Sequence, residues 1–426
     1  MVQLDKMKTK YLVITFLAAF VLACGALDAQ TASPYGFRGP THDGIYPDTG
    51  LLDKWPASGP QLLWQDLEIG KGYSSAVAVG DRVYVTGMTE DGKQETFICF
   101  SKDGKKLYTA PYSAPFDKSY PETRTTPTIC DGKAYVVSGS GEAVCLDCAT
   151  GKVLWKVDLF KTFGSTTGNW GTSECPLVFD DKMICTPGGN KTAMVALNKD
   201  TGAVIWQTKS FNNPRAYISP ILVEWKGKRQ LIGSTQNHIF GVNPDNGQIE
   251  WSFTGWKGGS RWDNIAPNSP VFKDGKVFFC HGYDINAYQL QLNDTMTDAK
   301  VAWKNEVLDT HHGGYVLLDG VVYGSNWINN GSGKWCAVDW NTGKTIYEVE
   351  WTGGKGKGSI IAADGKLFCY DERRGYVGLV KPGPKFEVVS EFRITQGDGP
   401  FWTHMSIGDG VLYVRHGSAL MAYKIK

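Results

Sequence analysis

Eight short stretches of this chain gather the side chains able to grip a ligand or move a proton. They recur at intervals of about 45 to 50 residues. They supply Tyr73, then Arg124, then Trp170 with Glu174, then Arg215 with Tyr217. Trp262, Asp263 and Asn264 follow, then the pair His311-His312, then Lys357, and last Trp402 with His404. Brought together, they would offer aromatic faces for flat rings, guanidinium forks for carboxylates, and imidazoles or carboxylates for proton transfer. Each also has an ordinary structural use. Aromatic residues wedge neighbouring repeats, and Arg124 with Glu174 or Arg215 with Asp263 can close as ion pairs. His311, His312 and His404 are metal-ligand types, but adjacent residues of an extended chain point to opposite faces, so the sequence assigns them no metal. No nucleophile motif accompanies the set.

The interval is set by a repeated unit, clearest at Asp131–Trp155, DGKAYVVSGSGEAVCLDCATGKVLW. Asp131-Gly132 is a hairpin turn signal, Lys133 to Val137 is rich in β-formers, and Ala143 to Leu146 is a second such run. Thr150-Gly151 turns the chain again into Val153-Leu154-Trp155. First-turn dipeptides begin at Gly80, Asp131, Asp180, Gly227, Asp274, Asp319, Asp364 and Asp409, in steps of 51, 49, 47, 47, 45, 45 and 45. Closing aromatics keep phase at Tyr108, Trp155, Trp206, Trp251, Trp303, Tyr347 and Phe392. Such a unit cannot bury its own apolar face, and four strands per period of about 45 residues predict an all-β propeller.

Residues 61–426 make the propeller. Leu62-Leu63-Trp64 reads as a closing strand without its blade, and Asp409 to Tyr423 as a blade without its closing strand. Together they predict eight four-stranded blades, the last one completed from the N-terminal side, which leaves no free sheet edge. Residues 30–60, rich in Gly and Pro, are expected as an extended arm packed over the ring. Residues 1–29 read as a secretory leader: lysines precede an apolar run from Tyr11 to Leu22, too short to span a bilayer. Val21-Leu22-Ala23-Cys24 resembles a lipobox, which would leave Cys24 as a lipid anchor; Leu27-Asp28-Ala29 offers ordinary cleavage instead. Either predicts a periplasmic or outer-membrane destination. The formal charge of +1 gives no reason to invoke nucleic acid. Cys145 and Cys148 form CxxC across a strand end, without the second CxxC of a zinc site.

The Leu-Asp-x-x-Thr-Gly-Lys-x-x-x-Trp pattern, best at Leu146 to Trp155, resembles the repeat of eight-bladed propellers of the pyrroloquinoline quinone (PQQ) type. That superfamily includes quinone-dependent alcohol and sugar dehydrogenases, and a non-enzymatic lipoprotein of the outer-membrane assembly machinery. Phe37-Arg38-Gly39-Pro40 with Asp43-Gly44 looks like a branch of secreted bacterial members. For a dehydrogenase the resemblance implies Trp262 or Trp170 stacked on PQQ, Arg124 and Arg215 on its carboxylates, Glu174 and Asn264 on calcium, and Asp263 as base. The adjacent-cysteine disulfide of many such enzymes and a CxxCH haem motif are both missing. The reading preferred here is a non-catalytic envelope binding or scaffold protein. Its mouth would hold a small polar ligand, a polysaccharide or another envelope protein, with no cofactor required. A glycan-active enzyme remains a third alternative.

Overall fold

A computed structural model describes residues 34–255 and 266–426. The stretch read from sequence as a leader, with Cys24, and the stretch holding Trp262, Asp263 and Asn264 lie outside the described residues. Eight four-stranded antiparallel sheets follow one another along the chain as the blades of a propeller. Blades 1 to 7 span 77–113, 128–158, 177–207, 221–253, 271–305, 315–349 and 358–393. Blade 8 takes Ser406–Gly408, Val411–His416 and Ala419–Lys424 from the C-terminal side and Gln61–Asp66 from the N-terminal side. Gln61 faces Lys424, and Asp66 faces Leu420.

Blade 2 shows why the sequence folds this way. Asp131 (φ 50°) and Gly132 (φ 72°) both adopt positive φ, as the tight turn matching strand twist requires. Glu142–Asp147, a middle strand, is buried on both faces along its centre, whereas outer Val153–Asp158 alternates half-buried with exposed. In blade 4 the two-residue turn is Lys226-Gly227, one position before the expected Gly227-Lys228, because Trp225 pairs with Lys228.

The closing aromatics Tyr108, Trp155, Trp206 and Trp303 are clasps on the following blade, whereas Trp251 bonds Gln230 in its own blade. Trp155 donates its indole N–H to the Lys199 carbonyl at 3.0 Å, and its ring lies on Gly202, where a Cβ would sit 2.8 Å away. Trp206 repeats this with Pro244 and Gly247, and Trp303 with Trp340 and Gly343. Tyr108 bonds the Cys148 carbonyl at 2.7 Å. The turn beneath is fixed by its own Asp or Asn: Asp147 Oδ1 accepts from Thr150 N at 2.8 Å and Thr150 Oγ1 at 2.6 Å. The recurrent Asp-x-x-Thr-Gly is thus a docking surface for the preceding aromatic.

The arm lies closer in than a cover over the ring. Tyr35 bridges Ile129 on the innermost strand of blade 2. Ile45–Tyr46 adds in parallel to the inner edge of blade 7, opposite Ala362 and Ala363. Between them Arg38 is buried, donating to the carbonyls of Asp43 and Tyr315. Contacts with the inner strands of blades 2, 6 and 7 place residues 35–46 inside the central channel, which they plug. Below, Leu51 N bonds Asp364 and Trp55 N bonds Ser390.

Candidate functional site

Each innermost strand is preceded by an entry loop, and the loops are knitted into a ring. Ser75 N donates to Thr126 Oγ1, Thr126 N to Cys175 Sγ, Cys175 N to Ser219 Oγ, and Ser219 N to Ser269 Oγ, at 2.9 to 3.2 Å. The small hydroxyl and thiol residues beside the chemistry-bearing positions therefore fix those positions relative to one another.

Inside this ring is a bowl of about 340 Å³. Tyr73, Arg124, Trp170 and Tyr217 line one part of it, and His311, His312, Trp402 and His404 another. Phe37 of the arm joins them and packs edge-on against His404, with centroids 5.0 Å apart. Because the arm fills the channel behind Phe37, the bowl is blind. Trp402 lies against Tyr73 (5.3 Å), Tyr120 (5.0 Å) and His312 (5.3 Å). Trp170 meets Tyr217 edge-on at 6.1 Å.

Three other positions singled out from sequence stand behind the wall. Glu174 is buried and accepts from Thr186 N and Oγ1, both at 2.7 Å; burial pushes its pKa up to about 7. Arg215 is buried under the Trp170 loop and donates to the carbonyls of Thr166, Thr167 and Gly171. Burial lowers its pKa to about 10. Lys357, 1% exposed, pairs with Glu372 and donates to the Asn330 carbonyl at 2.9 Å. His281 and Arg415, on the turns between middle strands, are buried as well. The guanidinium of Arg415 is turned inward onto backbone carbonyls, whose desolvated dipoles replace water around it.

The histidines depart from the expectation for an extended chain. Residues 311–313 form a bend, so the rings of His311 and His312 lie side by side, 4.1 Å apart and inclined by 40°. Asn268 holds the bend by donating to the carbonyls of Thr310 and His311 at 2.7 and 3.1 Å. Burial keeps all three imidazoles neutral, with His311 and His404 lowered to about 3 and His312 well below its usual value. Both nitrogens of His404 are engaged, Nδ1 with Arg38 at 3.4 Å and Nε2 with the His312 carbonyl at 2.8 Å. A guanidinium can only donate, so Nδ1 accepts and Nε2–H donates.

Sequence reasoning did not single out Phe37, Tyr120, Tyr283 or Asn330 as bowl residues, though all four line it. Phe37 stood in the arm motif. Tyr120 precedes its entry loop, and Tyr283 and Asn330 sit on turns between middle strands. Only the tertiary closure brings these segments to the same place.

Known proteins extend the picture. Residues 118–349, more than half of the chain, match the family model described as outer membrane protein assembly factor BamB. A curated protein of that name from Alkalilimnicola ehrlichii is 25% identical over 226 residues, 52% of each chain. The quinoprotein alcohol dehydrogenase PedH of Pseudomonas putida is 28% identical over 166 residues, covering 35% of this chain and 25% of that one. The matches thus span about half or less of the length of these relatives. In three dimensions BamB from Moraxella catarrhalis aligns with TM-score 0.59 at 14% identity, covering 86% of this chain and 99% of that one. The quinohemoprotein alcohol dehydrogenase of Comamonas testosteroni aligns with TM-score 0.65 at 14% identity, covering 90% and 79%. At these identities the structural likeness establishes the propeller architecture alone. The repeat, the eight blades and the matched family model agree: this chain belongs to the PQQ-like propeller family whose model carries the BamB description.

Proposed function

We propose that this protein is a non-catalytic binding propeller of the bacterial cell envelope, holding a small polar ligand or the end of a polysaccharide in the blind bowl. The observation that carries this reading is the wall itself. Aromatic side chains from the entry loops of several blades surround a closed floor, with Arg124 as the cation beside them. Aromatic faces stack on sugar rings, tyrosine hydroxyls and Arg124 hydrogen-bond their edges, and the volume suits a small ligand. The leader-like start and the BamB relatives support an envelope location. A protein partner at the same mouth is the reading those relatives favour.

PQQ with calcium fits the described residues poorly. A tricarboxylate would meet Arg124 as the only cationic side chain on the described wall, and one Arg124 nitrogen is already bonded to the Ser119 and Tyr120 carbonyls. No carboxylate lines the described wall, and Glu174 is committed to Thr186. Trp262, Asp263 and Asn264 lie outside the described residues, so their implied roles in stacking, calcium binding and base catalysis play no part in this reading.

A glycan array followed by calorimetry tests the proposal. Saccharide binding that quenches tryptophan fluorescence is expected. Trp170→Ala or Trp402→Ala should weaken it by about 1–3 kcal/mol, roughly five- to 150-fold. Calcium-dependent micromolar binding of PQQ, with no saccharide bound, would overturn the reading in favour of a quinone dehydrogenase.

A further inference from the structure

We infer that His311, His312 and Glu372 form a binding site for a divalent transition metal in the wall of the bowl, with an open coordination position facing the cavity. Each residue offers one ligand atom, and the three atoms lie within 4.8 Å of one another. His312 Nε2 is already 3.7 Å from Glu372 Oε2. Ligands at about 2.0–2.2 Å from zinc stand roughly 3.4 Å apart in a tetrahedron, so closure from 4.8 Å needs a contraction of about 1.4 Å at most.

Two further observations point to a ligand here. The Nδ1 of His311 and the Nε2 of His312 are buried without a hydrogen-bond partner, and the His311 side chain belongs to a residue only 8% exposed. Buried imidazole nitrogens are ordinarily paired, and a metal ion satisfies one as a hydrogen-bond donor would. The surroundings are also organised as an outer layer. Lys357 holds Glu372 through Oε1 and leaves Oε2 toward His312, while Asn268 fixes the His311 backbone. His404 is excluded from the ligand set because both of its nitrogens are occupied.

Two imidazoles and one carboxylate suit zinc and its neighbours, Co²⁺ and Ni²⁺, rather than calcium, which takes oxygen ligands. His311 and His312 line the bowl, and Glu372 reaches them from behind, so the fourth position opens into the cavity. Lys357 already balances the Glu372 charge, so the bound ion would keep its full double charge. An anionic group, such as a carboxylate, would therefore be preferred in the open position.

The test uses the untagged mature protein, stripped with chelator and then titrated with Zn²⁺ by calorimetry and with Co²⁺ by visible absorption. The expected result is one ion per chain and the intense d–d bands of a low-coordinate Co²⁺ site. His312→Ala should weaken binding by about 100-fold, and Glu372→Gln should weaken it at least tenfold, with folding checked by thermal melts. His312→Gln serves if the alanine variant fails to fold. Absence of stoichiometric binding to the folded wild type would overturn the assignment. Binding unchanged in the folded variants would do the same. Neither result depends on which ligand the bowl takes.

Discussion

Arg415 is the largest electrostatic commitment of a single side chain in the closing blade. Its guanidinium donates to the carbonyls of Gly70 (3.0 Å), Thr86 (2.8 Å) and Gly417 (2.9 Å), and to Ser74 Oγ at 2.5 Å. Three of these four partners belong to blade 1 or its entry, so the residue joins blade 8 to blade 1. Arg415→Met would leave buried carbonyls unpaired and should cost about 3 kcal/mol in chemical denaturation. Glu174 gives a prediction about pH. Its folded pKa, about 7, lies above its ordinary 4.5, so the folded state holds the proton more tightly than the unfolded one. Its contribution to stability is full below pH 4.5 and disappears as pH rises through 7. The lowered histidines act in the opposite sense, losing stability as pH falls below 6.5. Comparing a variant with wild type isolates the carboxyl: Glu174→Gln should gain stability relative to wild type, by about 1 kcal/mol or more, between pH 5 and pH 8. A constant difference in melting temperature across that range would contradict the assigned shift.

At the scale of the element, the clasp explains which parts of the fold were legible in the chain. Asp147, Thr150, Gly151 and Trp155 recur because each has a local or next-blade duty, and such duties leave a periodic trace. Gly202 tests this: at φ +74° an added Cβ would also meet the Trp155 ring at 2.8 Å. Gly320, at φ +79°, has open space around it. Gly202→Ala should therefore cost about 2–3 kcal/mol and Gly320→Ala about 1 kcal/mol, measured side by side by urea denaturation. The bowl was legible for the same reason, since the entry loops sit at fixed phase in the repeat. Its depth was not. Whether a polar residue such as Glu174, Arg215 or Lys357 faces the cavity or turns behind it depends on partners more than ten positions away, Thr186 and Gly171 among them. The pairing of His311 with His312 was hidden by a bend that no local signal announces.

At the scale of the whole molecule, the plugged channel separates this protein from a simple ring. The amide of Ile129 donates to Tyr35 at 2.7 Å and that of Ala362 to Gly44 at 2.8 Å, although both belong to innermost strands. Deleting residues 34–47 keeps the closing strand Gln61–Asp66 and all eight blades. It should nonetheless abolish protection of these two amides in hydrogen exchange and lower the melting temperature by several degrees. Retained protection would mean that the arm is not the partner in solution.

The seam of blade 8 has a kinetic meaning. Leu62 pairs with Tyr423, far along the chain, so the last contact to form joins the first propeller strand made after the arm to the last. Such a non-local closure makes folding slow, because no partial chain can seal itself. Throughout synthesis and any passage across a membrane, Gln61–Asp66 would wait as an unpaired edge bearing Leu62 and Leu63, which stay 38% and 43% exposed even in the finished fold. That waiting strand is the segment most open to wrong pairing, and the one a folding chaperone would be expected to shield.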